Sequence, residues 1–210
     1  MNEHHVARSL LEIGAVGYNE TEPVRFKSGI LSPVYVDNRR LPFYPRDWRV
    51  VIWAFAGLIA SRGIEYDVIA GIETAGIPHS AALAYAIEKP HVFVRKQPKD
   101  HGTKNRVEGG SVVGMRVLLV EDMITTGSSS LSAVHALRDT GAIVNDCLSI
   151  ISYGFPESLI AFADAHVNLH TLTNFQAILD ADDFFTEAER TTVQEWLADP
   201  HGWASKRGLT

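Results

Sequence analysis

One stretch limits the fold of this chain more than any other: Val117–Ser130, VLLVEDMITTGSSS. Its leading apolar residues, Val117 to Val120, read as a buried parallel strand. Glu121 and Asp122 follow at once, and then Thr125-Thr126-Gly127-Ser128-Ser129, a turn of hydroxyls and glycine. A helix opens there with Leu131, Val134 and Leu137 on one face and Gly141 as its stop. A strand feeding a small-residue turn and a helix N-terminus is a phosphate cradle, because unpaired backbone N–H groups and the positive end of the helix dipole meet in the turn. Two acids at its mouth would repel a bare phosphate, so they need a polyol or a metal ion to face. A sugar phosphate satisfies both halves. Its hydroxyls donate to Glu121 and Asp122 while its phosphate lies in the turn.

The rest of the chain alternates around that unit. Apolar, β-branched runs predict strands at Tyr66–Ala70, His91–Val94, Arg116–Val120 and Ile143–Ser152. Helices are expected from Pro45 to about Arg62, from Pro78 to about Ile87, and over Ser128–Asp139. Such alternation argues an α/β fold, a parallel central sheet flanked by helices. A short amphipathic helix over residues 4–14 and two short strands over 24–37, around a Lys-Ser-Gly turn, stand outside the alternation. They are expected to form a small N-terminal flap. Past Phe155 a strand near Val167–Leu172 and helices near Phe175–Leu179 and Glu187–Leu197 follow. The expected organisation is a single domain over residues 1–210, with the flap at about 1–40, the core at about 45–155 and a C-terminal extension at about 156–210.

Composition removes several function classes. A chain of 210 residues can bury roughly 70% of its unfolded surface in one domain. Nineteen basic residues against 25 acidic ones give a net charge of −6, which offers no case for nucleic acid or a membrane surface. The single Cys147 lies in an apolar run, which excludes a disulfide framework and fits a reducing compartment. MNEHHVARSLLEIG lacks the apolar core of a signal peptide, and the run Val50 to Ala60 is too short to span a bilayer. A cytoplasmic protein is expected. No G-x-x-x-x-G-K-[ST] or G-x-G-x-x-G occurs, which weakens nucleoside-triphosphate and dinucleotide readings. The histidines are scattered and only His4-His5 adjoin, so no protein metal site is expected; His79, His135 and His166 read as structural.

Two more stretches carry chemistry. GIETAGIP (Gly71–Pro78) follows a strand and precedes a helix, so its amides suit a second phosphate group, although a plain glycine-rich connection explains it equally well. RKQPKDHGTKNRVEGG (Arg95–Gly110) places Arg95, Lys96, Lys99, Lys104, Arg106 and His101 in a long loop against only Asp100 and Glu108. Loops of this length are commonly lids. An exposed cation gains only about 1 kcal/mol from an anion at 4 Å, whereas in a closed site the gain approaches ~4 kcal/mol. The loop therefore matters if it covers something highly anionic, and pyrophosphate is such a group.

These segments resemble a known family. VEDMITTGSSS is similar to the phosphoribosyl-pyrophosphate motif of the type I phosphoribosyltransferases. RKQPKDHG is similar to the catalytic loop of the orotate phosphoribosyltransferases, Arg-Lys-x-x-Lys-x-His-Gly, and FKSGILSPVYVDNR (Phe26–Arg39) resembles their Lys-Ser-Gly-x-x-Ser-Pro segment. The resemblance implies that Arg95, Lys96, Lys99, His101, Glu121, Asp122, Thr125, Thr126, Gly127, Ser128 and Ser129 bind phosphoribosyl pyrophosphate, with Glu73 and Thr74 in the pyrophosphate loop. It assigns catalysis to Lys99, His101 and Asp122, and orotate binding to Lys27, Tyr35 and Thr125. It further implies magnesium carried mainly by the substrate's pyrophosphate and ribose hydroxyls, and a homodimer whose loop reaches the partner's site. One departure stands out. Family members commonly carry Asp-Arg after the next strand, the arginine pairing with orotate's carboxylate; here the place reads SIISYGFPES, with Tyr153 or a neighbour. Lys27, Arg39 or amides near Thr125 are the substitutes available.

The implied reaction transfers a 5-phosphoribosyl group to orotate, with positive charge building on the ribose and negative charge on pyrophosphate. Two other readings share the motifs: transfer to another base, and a regulator that senses the donor without turning it over. The retained loop cations weigh against the regulator. Replacing Lys99 with Ala is expected to lower turnover by ~100-fold, the cost of one preorganised electrostatic partner. Steady-state pyrophosphate release measures it, and near-normal turnover would remove the loop from the mechanism.

Overall fold

In the computed structural model, which describes residues 3–98, 105–181 and 184–209, the order of elements follows the order of apolar runs. Helix α1 (Glu3–Glu12) turns Val6, Leu10 and Leu11 inward. Four short strands, β1 (Val16–Tyr18), β2 (Val24–Arg25), β3 (Leu31–Ser32) and β4 (Val34–Val36), make two antiparallel pairs, β1 with β4 and β2 with β3. A 3₁₀ helix over Asn38–Phe43 is capped by the Asp37 carboxylate, and α2 (Pro45–Arg62) follows. Pro45 occupies its first turn, where the lost N–H has no helical partner to miss, and Gly63 ends it in the left-handed region.

The alternating part comprises β5 (Val68–Ile72), α3 (Gly76–Ala86), β6 (His91–Val94), β7 (Val107–Glu108), β8 (Arg116–Ile124), α4 (Ser128–Asp139), β9 (Ile143–Ser152), α5 (Pro156–Asp164) and β10 (Asn168–Asn174). The alternation is as expected, but α5 was not foreseen, and β7 lies inside the stretch read as loop, where Val107 and Glu108 pair with Val94 and Phe93. Six strands pair in the order β10-β9-β8-β5-β6-β7, all parallel except β7 on β6. Helices α6 (Phe175–Leu179), α7 (Glu187–Ala198) and α8 (Trp203–Lys206) complete the described chain.

The period of two along each strand splits the interior into two cores. Ile69, Leu118, Val120 and Leu148 face one side, with Val6, Leu10, Val51, Phe55 and Leu83 of α1, α2 and α3. Val68, Ala70, Val117 and Leu119 face the other, with Ala133, Val134 and Leu137 of α4 and Phe162 of α5. Cys147 is buried and unpaired, and burial raises its thiol well above the usual range.

Several boundaries differ from the sequence reading, and the flap holds three short strands over residues 24–37 where two were expected, with β1 before them. The strand at Val68–Ile72 lies two residues later than Tyr66–Ala70, because Asp67 is used to bind the Arg116 guanidinium and main-chain N–H at the sheet's lower rim. Strand β8 runs four residues past Val120, because Met123 and Ile124 continue the pairing with Ile151 and Ser152. The acids thus lie inside the strand. Helix α3 begins at Gly76, so Pro78 sits within its first turn, where proline is tolerated.

One side-chain bond joins the two helices over the first core. Trp48 Nε1 of α2 donates to His79 Nδ1 of α3 at 3.0 Å, and the rings meet edge to face. His79 is wholly buried, and burial lowers its pKa from 6.5 to about 4. The unfolded chain therefore binds a proton in a range where the folded chain does not. Stability from this site is complete above pH 6.5 and is lost as the pH falls toward 4, by roughly 3 kcal/mol. Urea unfolding at pH 7 and pH 4.5 should show this, and His79→Gln should lose that share of the acid sensitivity.

Candidate active site

Helix α3 carries the chain from β5 outward to β6, whereas α4 carries it from β8 to β9 on the other side. The order of connection therefore reverses between β5 and β8. Open parallel sheets take ligands at such a crevice, beyond the carboxyl ends of the strands. Two segments meet there: the turn Glu73–Gly76 after β5, and Glu121–Ser129 at the end of β8.

The hydroxylated turn opens into a hollow of about 370 Å³ lined by Lys27, Ser28, Met123, Ile124 and residues Thr125 to Ser130. Among the described residues, Lys27 is the one charged side chain in that lining. Gly127 precedes α4 with φ 81°, and no side chain caps the helix, which leaves first-turn amides for a ligand. A Cβ at Gly127 would also come 2.9 Å from the Phe162 ring of α5, so both conformation and space demand glycine. Thr126 Oγ1 and Ser128 Oγ lie 3.1 Å apart.

The acid pair sits where β8 leaves the core. Glu121 is buried and Asp122 partly exposed. Glu121 Oε1 accepts the Asp122 main-chain N–H at 3.1 Å, and Asn38 Nδ2 donates to the Asp122 carbonyl at 2.9 Å. Helix α3 approaches so closely that a Cβ at Gly76 would lie 2.7 Å from the Val120 carbonyl oxygen. Burial drives the Glu121 carboxyl well above its ordinary range, and the Asp122 charge adds to this, with Lys96 opposing. Burial also raises Asp122, whereas bonding with Glu121 and the nearby Arg39 charge pull it back. Glu121 is thus the member that keeps a proton longer as pH rises, and Asp122 the readier hydrogen-bond acceptor.

On the β5 side, the Glu73–Thr74 peptide is cis. Glu73 N–H donates to the Val94 carbonyl at 2.9 Å, and Glu73 Oε2 accepts the Lys96 N–H at 2.8 Å. The base of the basic loop is knitted beside them. Arg95 N–H donates to the Arg106 carbonyl at 2.9 Å, Arg106 Nε returns a bond to the Arg95 carbonyl at 2.7 Å, and Arg106 Nη1 reaches Ser132. The Arg95 guanidinium stands 3.7 Å from Glu108. Lys99 and His101 lie outside the described residues.

The orotate-side assignments separate. Lys27 joins the hollow. Its neighbour Phe26 packs against Tyr153 and Trp196, with ring centroids 5.2 and 6.2 Å apart, and Trp196 Nε1 donates to the Leu31 carbonyl at 2.8 Å. Helix α7 therefore props the flap that carries Lys27. Tyr35 lies on β4 opposite Gly17, where its ring fills the space of a Cβ, and it does not line the hollow. Tyr153, which with its neighbours was expected near the place of the family's arginine, is buried between Phe155 and Phe175, and its hydroxyl has no partner among the described residues. It cannot offer a charge.

Sequence reasoning did not name Asn38, Gly76, Phe162, Arg106 or Trp196 as supports of the site. The run FPESLIAFAD, with proline in a first turn and apolar residues behind it, held the signal for α5; the others act through contacts far apart in the chain. Among the described residues, no group of three or more His, Cys, Asp or Glu is placed to hold a metal ion.

The comparisons agree with this geometry. The model of the phosphoribosyl transferase domain matches residues 48–152. An orotate phosphoribosyltransferase of Coxiella burnetii is 41% identical, over 94% of this chain and 96% of that protein. The crystal structure of orotate phosphoribosyltransferase from Aeropyrum pernix superposes with a TM-score of 0.74 at 30% identity, over 83% of this chain and 96% of that one. The Mycobacterium tuberculosis enzyme in complex with 5-phospho-alpha-D-ribosyl 1-diphosphate gives a TM-score of 0.66 at 25% identity, over 84% of this chain and 98% of that one. A family match across the catalytic core and a relative alike along nearly the whole length lead to one conclusion: the chain belongs to the orotate phosphoribosyltransferases.

Proposed function

We propose that the chain transfers the 5-phosphoribosyl group of phosphoribosyl pyrophosphate to orotate, giving orotidine 5′-monophosphate and pyrophosphate in pyrimidine biosynthesis. The observation that carries this reading is the meeting of the acid pair Glu121–Asp122 and the uncapped turn Thr125–Ser129 at the point where the strand order reverses. The 5′-phosphate occupies the turn, bound by the first amides of α4 and by the hydroxyls of Thr125, Thr126, Ser128 and Ser129, with Gly127 giving close approach. Asp122 accepts from the ribose hydroxyls and supports the positive charge that develops on the ring. Glu121 shares this task. The turn at Glu73 and Thr74 faces the pyrophosphate, and Arg95, Lys96, Lys99 and His101 neutralise it as the bond breaks, with Lys99 or His101 able to deliver a proton to the leaving oxygen.

Magnesium would be carried mainly by the donor's own pyrophosphate and ribose hydroxyls, with the hard oxygens of Glu121 and Asp122 beside it, and would supply neutralising charge to the leaving group. Lys27 and amides near Thr125 take the orotate carboxylate in place of the missing arginine. Tyr35, supported here by the family resemblance alone, borders the base. The chain acts as one domain, flap, core and extension together. Self-association into a homodimer is supported by Phe43 and Tyr85, which are 81% and 89% exposed on elements flanking α2. A cytoplasmic setting suits the buried free thiol, and among the described residues no helix is long and apolar enough to cross a membrane.

Pyrophosphate release with magnesium and donor, compared for orotate, uracil, hypoxanthine and no base, tests the reading. Release with orotate alone is expected; release with hypoxanthine alone would refute it. Replacing Lys27 with Ala should raise the Michaelis constant for orotate ~10-fold or more and that for the donor far less, as for a lost charge-assisted bond. Equal effects would place Lys27 on the donor.

A further inference from the structure

The turn Glu73–Gly76 has no lysine or arginine, yet it carries a carboxylate. A carboxylate aimed at departing pyrophosphate would raise the barrier, so what Glu73 bonds to decides its role. Its main-chain N–H continues the sheet ladder to Val94 at 2.9 Å. There the β5 chain turns away, and the next inward N–H, that of Lys96, takes the Glu73 carboxylate at 2.8 Å across 23 residues. A side chain has replaced the missing strand as acceptor, and the bond is charge-assisted. Lys96 is exposed at the start of the basic loop, and its charge is felt at Glu121 on β8, across β5.

We propose that Glu73 is a positioning residue: it fixes the main chain at Lys96 so that the Lys96 ammonium stands over the pyrophosphate, supplying the cation that the turn itself lacks. This rests on the donor site described above. It changes the part played by Glu73 from touching the donor to acting through Lys96, and it leaves Thr74 and the turn amides as the direct contacts.

The test uses the full chain with Glu73→Ala, Glu73→Gln, Lys96→Ala and the double Glu73→Ala/Lys96→Ala. Loss of the bond should speed amide hydrogen exchange at Lys96 by ~10-fold and raise the donor Michaelis constant by a similar factor. Gln keeps an oxygen acceptor without the charge, so it should recover most of both losses. In the double variant the donor effect should be no larger than in Lys96→Ala alone. Unchanged exchange at Lys96 in Glu73→Ala would overturn the proposal. So would multiplied effects in the double variant, or Gln as harmful as Ala, which would mark a direct contact with the donor. Absence of turnover in the wild-type chain would refute the function instead, and the exchange measurement would still decide whether the tie exists.

Discussion

Two neighbouring carboxyl groups held at the end of a buried strand are the constraint on which the rest of the molecule depends. Placing acids there works against the fold, because burial raises both above their ordinary range and the Asp122 charge further disfavours ionisation of Glu121. The chain holds them all the same. Strand β8 is paired to β5 up to Val120 and to β9 through Glu121, Met123 and Ile124, which anchors the backbone at the acids. Asn38 fixes the Asp122 carbonyl from the flap side, and Gly76 lets α3 close against Val120 from the other. A site prepared at that cost suits the paired hydroxyls of the ribose in the proposed donor.

The remaining groups are distributed around this pair by topology. The reversal between β5 and β8 puts the turn Glu73–Gly76, proposed to face pyrophosphate, beside Glu121 and Asp122, while α4 opens its uncapped N-terminus to the hollow proposed for the 5′-phosphate. The C-terminal extension has a mechanical part. Trp196 and Tyr153 seat Phe26, and Arg207 bonds Glu20 and Glu195. Lys27 thus stands over the hollow because helices more than a hundred residues later support it.

Much of this was legible in the sequence because it is local. The run VLLV, the acids and TTGSSS fall within one strand–turn–helix, and Pro45, Gly63 and Gly141 mark helix ends by their own backbone preferences. The ends of β5 and β8 were misplaced for a non-local reason: Asp67 is drawn to Arg116, and Met123 and Ile124 pair with β9. For Tyr35, the aromatic type could be read, but the pairing with Gly17 that sets its ring over β1 is a contact across the flap. The substitution at Tyr153 could be seen in the sequence, but that the ring would be stacked into a core could not.

The most direct measurement is titration calorimetry of phosphoribosyl pyrophosphate, with magnesium, against the wild-type chain and Asp122→Asn. If Asp122 grips the ribose, the substitution weakens binding by ~10-fold or more, as expected for a charged hydrogen-bond partner replaced by a neutral one. Equal affinities for the two proteins would contradict the account.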